Sequence, residues 1–126
     1  MTRDLVVNFL REEGFCPKVD DDGDVFFKCE GRNFLFFCNE EDNDFFQLAM
    51  PAIFDVTEDN REMVLEACNA ITRAIKVAKC VVIDGQDAVW LLCEMLLDHT
   101  PNIEDILPRC IAILQGAQQE FYSKIQ

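Results

Sequence analysis

Val25-Phe26-Phe27-Lys28-Cys29-Glu30-Gly31-Arg32-Asn33-Phe34-Leu35-Phe36-Phe37-Cys38 is the stretch whose reading decides the fold. Two short apolar runs flank Gly31, which turns the chain, so they read as paired antiparallel strands. A strand with one wet face alternates apolar and polar residues. Here both alternating sets are apolar, and Val89-Trp90-Leu91-Leu92 repeats the pattern later in the chain. Such a sheet is covered on two sides. Helices account for one side, and what meets the other is the clue to function.

The rest of the chain supplies the helices. Leu5, Val6, Phe9 and Leu10 follow helical spacing, and Gly14 stops that helix. Phe15 to Val19 is a short extended run, and Asp20-Asp21-Asp22-Gly23-Asp24 makes a turn. Val25 to Glu30 and Asn33 to Cys38 are strands, and the polar run 39–44 is a loop. Phe45 to Phe54 is a longer strand in which Pro51 marks an edge or a bulge. Thr57 is read as the cap of a second helix striped by Val64, Ala67, Cys68, Ile71, Ala74 and Ile75. Val77 to Ile83 and Ala88 to Leu97 form a hairpin. A last helix spans Ile103 to Ile125, its first turn expected to be kinked or separate at Pro108. The reading is a single α+β domain over residues 1–126 with one antiparallel twisted sheet, helices mainly on one face, and the order α-β-β-β-β-α-β-β-α.

Strand parity separates the two faces. Val25, Phe27, Cys29, Phe34, Phe36, Cys38, Phe46, Leu48, Met50, Phe54, Cys80, Val82, Leu91, Cys93 and Met95 are uniformly apolar and are assigned to the helix-covered core. Phe26, Lys28, Leu35, Phe37, Phe45, Gln47, Ile53, Lys79, Val81, Trp90, Leu92 and Glu94 are apolar but mixed with charge. That mixture fits a contact surface. Phe26, Phe45, Val81, Trp90 and Leu92 are the candidate protein-binding residues, with Phe26, Phe45 and Val81 expected beside Trp90. If five such side chains expose ~100 Å² each, covering them is worth on the order of 12 kcal/mol gross.

Charge narrows the partner. The formal net charge is −13, and acidic residues crowd positions 20–44. Such a surface repels phosphate backbones and anionic membranes, so neither nucleic acid nor membrane is an expected partner. No apolar run is as long as a membrane span needs, and no export signal opens the chain, so a cytoplasmic protein is expected. Seven cysteines, an odd number with no two in close spacing, argue against a disulfide framework and against structural zinc. They read as small packed hydrophobes.

No catalytic motif is legible. Asp20, Asp22 and Asp24 have the spacing of a calcium loop, but the sixth and twelfth positions counted from Asp20 are Val25 and Gly31, where such a loop needs Gly and Glu. A solvated turn is the better reading, and neither a metal nor a cofactor is expected. His99, the only histidine, leaves an alternative: a small-ligand binder or enzyme with a pocket near that residue.

The whole chain resembles the type III secretion chaperone-like fold, and within it the YbjN-type proteins. The resemblance rests on Asp22-Gly23-Asp24-Val25-Phe26-Phe27-Lys28, on Lys79-Cys80-Val81-Val82-Ile83-Asp84 leading into Ala88-Val89-Trp90-Leu91, and on a C-terminal amphipathic helix with Phe121 near its end. Four extended segments precede the middle helix, one more than in the secretion chaperones. The resemblance implies a small acidic cytosolic protein, often a homodimer, that binds other proteins in a regulatory or chaperone-like role. It implies no catalytic residues, so a non-enzymatic module engaging a protein partner or itself through its apolar sheet face is expected.

Overall fold

The computed structural model describes residues 2–126. The order is α1 (Thr2–Glu12), β1 (Lys18–Val19), β2 (Val25–Cys29), β3 (Arg32–Phe36), β4 (Phe45–Asp55), α2 (Arg61–Ala74), β5 (Ala78–Ile83), β6 (Ala88–Leu96) and α3 (Ile103–Ile125). The six strands form one sheet in the order β1-β2-β3-β4-β6-β5, every neighbouring pair antiparallel. Four strands do precede the middle helix.

Local chemistry sets the ends of the elements. After α1, Gly14 takes φ +90°, Phe15 N–H donates to the Leu10 carbonyl at 2.9 Å and Gly14 N–H to the Arg11 carbonyl at 3.1 Å. This pair of bonds satisfies the last carbonyls and turns the chain towards β1. Asp20 organises the next turn, its carboxylate accepting from Asp22 N–H and Asp24 N–H at 3.0 and 2.9 Å. The start of α2 and the continuity of α3 differ from the sequence reading. The α2 helix begins at Arg61, after Asn60, and Thr57 instead accepts from Asn60 N–H at 3.2 Å while Asn60 accepts from Thr57 N–H at 2.8 Å. Thr57 therefore closes the turn ahead of the helix. The α3 helix runs unbroken through Pro108, capped by the Asn102 side chain accepting from Asp105 N–H. Pro108 lies close to the start, where its missing N–H costs one early bond and not the continuity of the helix.

The core lies between the sheet and all three helices. Val6 and Leu10 of α1, Val64 and Ile71 of α2, and Leu107, Leu114 and Phe121 of α3 join one buried cluster with Val25, Phe27, Phe34, Phe36, Phe46, Leu48, Met50, Val89, Leu91 and Cys93. The parity assigned from sequence to the covered face is the one observed. Its aromatics interlock, with Phe27 stacked on Phe34 at 5.2 Å and Phe54 edge-on to Phe121 at 5.6 Å. Pro51 marks a bulge in β4, where the register to β6 shifts between Met50 and Phe54. Ala52 there adopts φ +47°, and the Tyr122 hydroxyl donates to the Ile53 carbonyl at 2.7 Å. The bulge turns Ile53 towards the core cluster, so it leaves the opposite face to which parity had assigned it.

Both sheet edges are blunted. The β1 edge is two residues long. At β5, the Thr72 hydroxyl of α2 accepts from Cys80 N–H at 2.9 Å and approaches the Cys80 carbonyl at 3.3 Å. A helix side chain thus occupies edge groups that could otherwise pair with another strand.

Candidate functional site

The face of the sheet away from the helices is built by strand register. Phe26 pairs with Leu35, Leu35 with Ala49, Ala49 with Leu92, and Leu92 with Lys79, one row crossing five strands. Neighbouring rows bring Val81 opposite Trp90, Gln47 opposite Glu94, and Phe45 opposite Leu96. Leu92 is buried yet stands outside the core cluster, as a residue on the opposite face must.

Trp90 carries the largest side chain on this face. Its ring lies nearly parallel to Phe37, with centroids 6.3 Å apart. Phe37 and Trp90 reach towards each other across β4. Ala49 on that strand is fully buried although it points away from the core. A larger residue there would hold the rings apart. The Trp90 Nε1–H is buried and meets no acceptor. An unsatisfied donor of this kind costs about 1–3 kcal/mol. Trp90 as a whole is half-buried, between a core residue and a free surface one.

The other expected site residues are spread more widely than parity alone suggests. Val81 is the cross-strand partner of Trp90. Phe26 lies three strands from β6, ~14 Å away, and Phe45 pairs six residues along β6 from Trp90, ~20 Å. The neighbour that Trp90 does meet is Phe37. Phe26, Phe45, Val81 and Trp90 are each half-buried and Leu92 is only 9 % exposed, so covering them yields a fraction of the ~12 kcal/mol set by full exposure. Leu96 is the counter-case, 84 % exposed at the end of β6. The same two-residue step that leads from Trp90 to Leu92 and Glu94 reaches it.

Charge on this face is partly stitched together. Glu94 pairs with Lys79 and accepts a hydrogen bond from Gln47 Nε2 at 2.6 Å. Both bonds run between neighbouring strands, so they hold the face together as well as neutralising it.

Other chemistry-bearing groups lie elsewhere. The carboxylates of Asp20, Asp22 and Asp24 gather within 4.8 Å of one another, the set best placed to meet a cation. Their geometry is already explained by the turn, and Asp24 is further used in accepting from Cys38 N–H at 2.8 Å. His99 is exposed beside a shallow depression of about 190 Å³ that also touches Asp44 and Asp98. Among the described residues lining it there is no cysteine, so no Cys–His pair is assembled there. Burial and then the Asp24 carboxylate push the Cys38 thiol up to about 11. Two thiol pairs join helix to sheet: Cys80 with Cys68, and Cys110 with Cys93. Hydrogen bonding to the partner sulfur, reinforced by burial, raises Cys80 and Cys110 above the ordinary thiol range. Protonated, buried thiols are poor nucleophiles. Among the described residues, Cys16 is the only exposed cysteine.

Helices layered on one face of an open antiparallel sheet, with an apolar-and-charged opposite face, define the class: a two-layer α+β domain with one sheet face left uncovered by helices. The chain belongs to the YbjN family, whose profile, described as "Putative bacterial sensory transduction regulator", matches residues 2–119. No curated protein matches it by sequence. Its fold is similar to that of an uncharacterized protein from Methanothermobacter thermautotrophicus, with a TM-score of 0.68 at 14 % identity over 100 % of this chain and 97 % of that one. It is also similar to YbjN from E. coli, described as "a putative transcription regulator", with a TM-score of 0.68 at 8 % identity over 94 % and 87 % of the two chains. No helix among the described residues is long and apolar enough to cross a membrane.

Proposed function

We propose that the protein is a non-enzymatic regulatory module that binds a protein partner, or a second copy of itself, through the uncovered face of the sheet. The observation that carries this reading is the Phe37–Trp90 pair: two large aromatic side chains stacked on a sheet face that no helix covers. Aromatics at the centre of a patch with a polar surround are what binding hot spots use, because they bury much area for little lost side-chain freedom. The family's description as a regulator of sensory transduction supports a role exercised through binding. Among the described residues, the Cys80 and Cys110 thiols, raised above the ordinary range, and the solvated turn carboxylates bring no nucleophile together with a general base, which favours binding over catalysis.

Trp90→Lys tests it. The residue lies outside the core cluster, so the variant is expected to keep its circular dichroism spectrum and a cooperative melt. Light scattering and pull-down should then show loss of the association made by the wild-type chain. A folded variant that keeps the wild-type mass and every partner would end this reading.

A further inference from the structure

The uncovered face differs in charge from the rest of the molecule. The chain holds 24 acidic and 11 basic residues. On this face the strands place Lys18, Lys28, Lys79 and Glu94, and Lys79 is matched to Glu94. Lys18 and Lys28 are both exposed, and among the described residues neither has an ion-pair partner. They flank one aromatic: Lys18 lies directly opposite Phe26 across β1 and β2, and Lys28 stands two residues on along β2. Between them opens a cleft of about 390 Å³ lined by Gly14, Phe15, Cys16, Lys18, Phe26 and Lys28. Its floor is apolar and both its charged groups are cationic, on a molecule whose net charge is −13.

Whole-molecule repulsion is weakest at the Lys28 end of the cleft. Asp24 is four residues from Lys28 along the strand, ~13 Å, which exceeds the ~8 Å screening length at physiological salt, whereas Asp20 stands two residues from Lys18 and Asp24 two residues from Phe26, ~7 Å and within it. A docked group therefore feels Lys28 most strongly and Lys18 in part offset by the turn carboxylates.

We propose that this cleft docks an acidic protein segment with an apolar anchor residue, the anchor seated against Phe15 and Phe26 and its flanking carboxylates held by Lys18 and Lys28. The proposal rests on the reading of the uncovered face as a protein-binding surface, and names the chemistry of the partner. Charge complementarity carries it: two unpaired cations beside an apolar floor select an anionic, apolar-centred ligand and reject a basic one.

Cys16 supplies a reporter, since it lines the cleft and is the exposed thiol. The probe is a short synthetic peptide of glutamates around one central phenylalanine. The controls replace that phenylalanine by serine, or the glutamates by lysines. The readouts are the rate at which iodoacetamide alkylates Cys16 in the full chain, followed by mass, and the anisotropy of the labelled peptide. The glutamate–phenylalanine peptide should protect Cys16, and both controls should leave it reactive. The double variant Lys18→Glu, Lys28→Glu should weaken binding by about tenfold or more, as reversal of two partly solvated contacts implies. Should that variant fold poorly, Lys18→Gln with Lys28→Gln removes the charges without reversing them and should also abolish protection. Equal protection by all three peptides, or binding unchanged in the charge variants, overturns the proposal. So does a wild-type dimer with Cys16 already shielded that the double variant converts to monomer, because the cleft would then hold a second copy. None of these measurements involves Trp90, so their failure is separate from failure of the broader reading.

Discussion

At the scale of single residues, burial and backbone conformation lead to two expectations. The Cys38 thiol is raised to about 11 by burial and by Asp24, against 9.0 for an unperturbed thiol. Its neutral form is therefore favoured by the fold. The resulting stabilisation is complete below pH ~9 and is lost as pH climbs towards ~11. Melting temperature should fall across that window, and Cys38→Ala should make the fall shallower; an identical slope in both chains would remove Cys38 as a cause. Val77 is the second case. It is β-branched, half-exposed and held at φ +72° in the turn before β5, a region where its Cβ meets the following carbonyl. Val77→Gly should relieve this strain by more than it adds to unfolded-chain entropy, raising stability by about 1 kcal/mol. Thermal melts would show a rise of roughly 3–5 °C. Periodicity placed Val77 at the start of a strand, because apolar pattern carries no information on the sign of φ.

At the scale of elements, the interest lies in how helices secure the sheet. Thr72 of α2 occupies the outward backbone groups of Cys80 on edge strand β5. Thr72→Val keeps the shape and removes the hydroxyl, leaving those groups to water or unpaired. A loss of about 1–2 kcal/mol in denaturant unfolding is expected. An unchanged midpoint would mean that solvent replaces the hydroxyl without cost. The helices and strands themselves were legible from period and turn chemistry: β4, β6 and α3 lie within a residue or two of where alternation and helical stripes put them. The departures have local causes. The start of α2 moved past Thr57 because Asn60 and Thr57 satisfy each other in a turn, and Ile53 changed face because a bulge inserts residues that parity counting cannot see.

At the scale of the whole molecule, a net charge of −13 on one small domain implies self-repulsion in the folded state. Raising NaCl from about 0.05 to about 0.5 M shortens the screening length and should raise the melting temperature by several degrees; a flat response in calorimetry would show the charges to be too dispersed to matter. The sequence by itself determined the class of fold, the covered face of the sheet and the chemical character of the other face, because these follow from periods of two and 3.6 and from composition, which are local properties. Only the tertiary structure decided who meets whom. That Trp90 stacks on Phe37 rather than beside Phe26 or Phe45, that Thr72 guards the β5 edge, and that Lys18 and Lys28 bracket Phe26 all depend on strand order and register. Register is fixed by contacts between segments far apart in the chain, and an alternating pattern read along one strand is silent about which strand lies next to it.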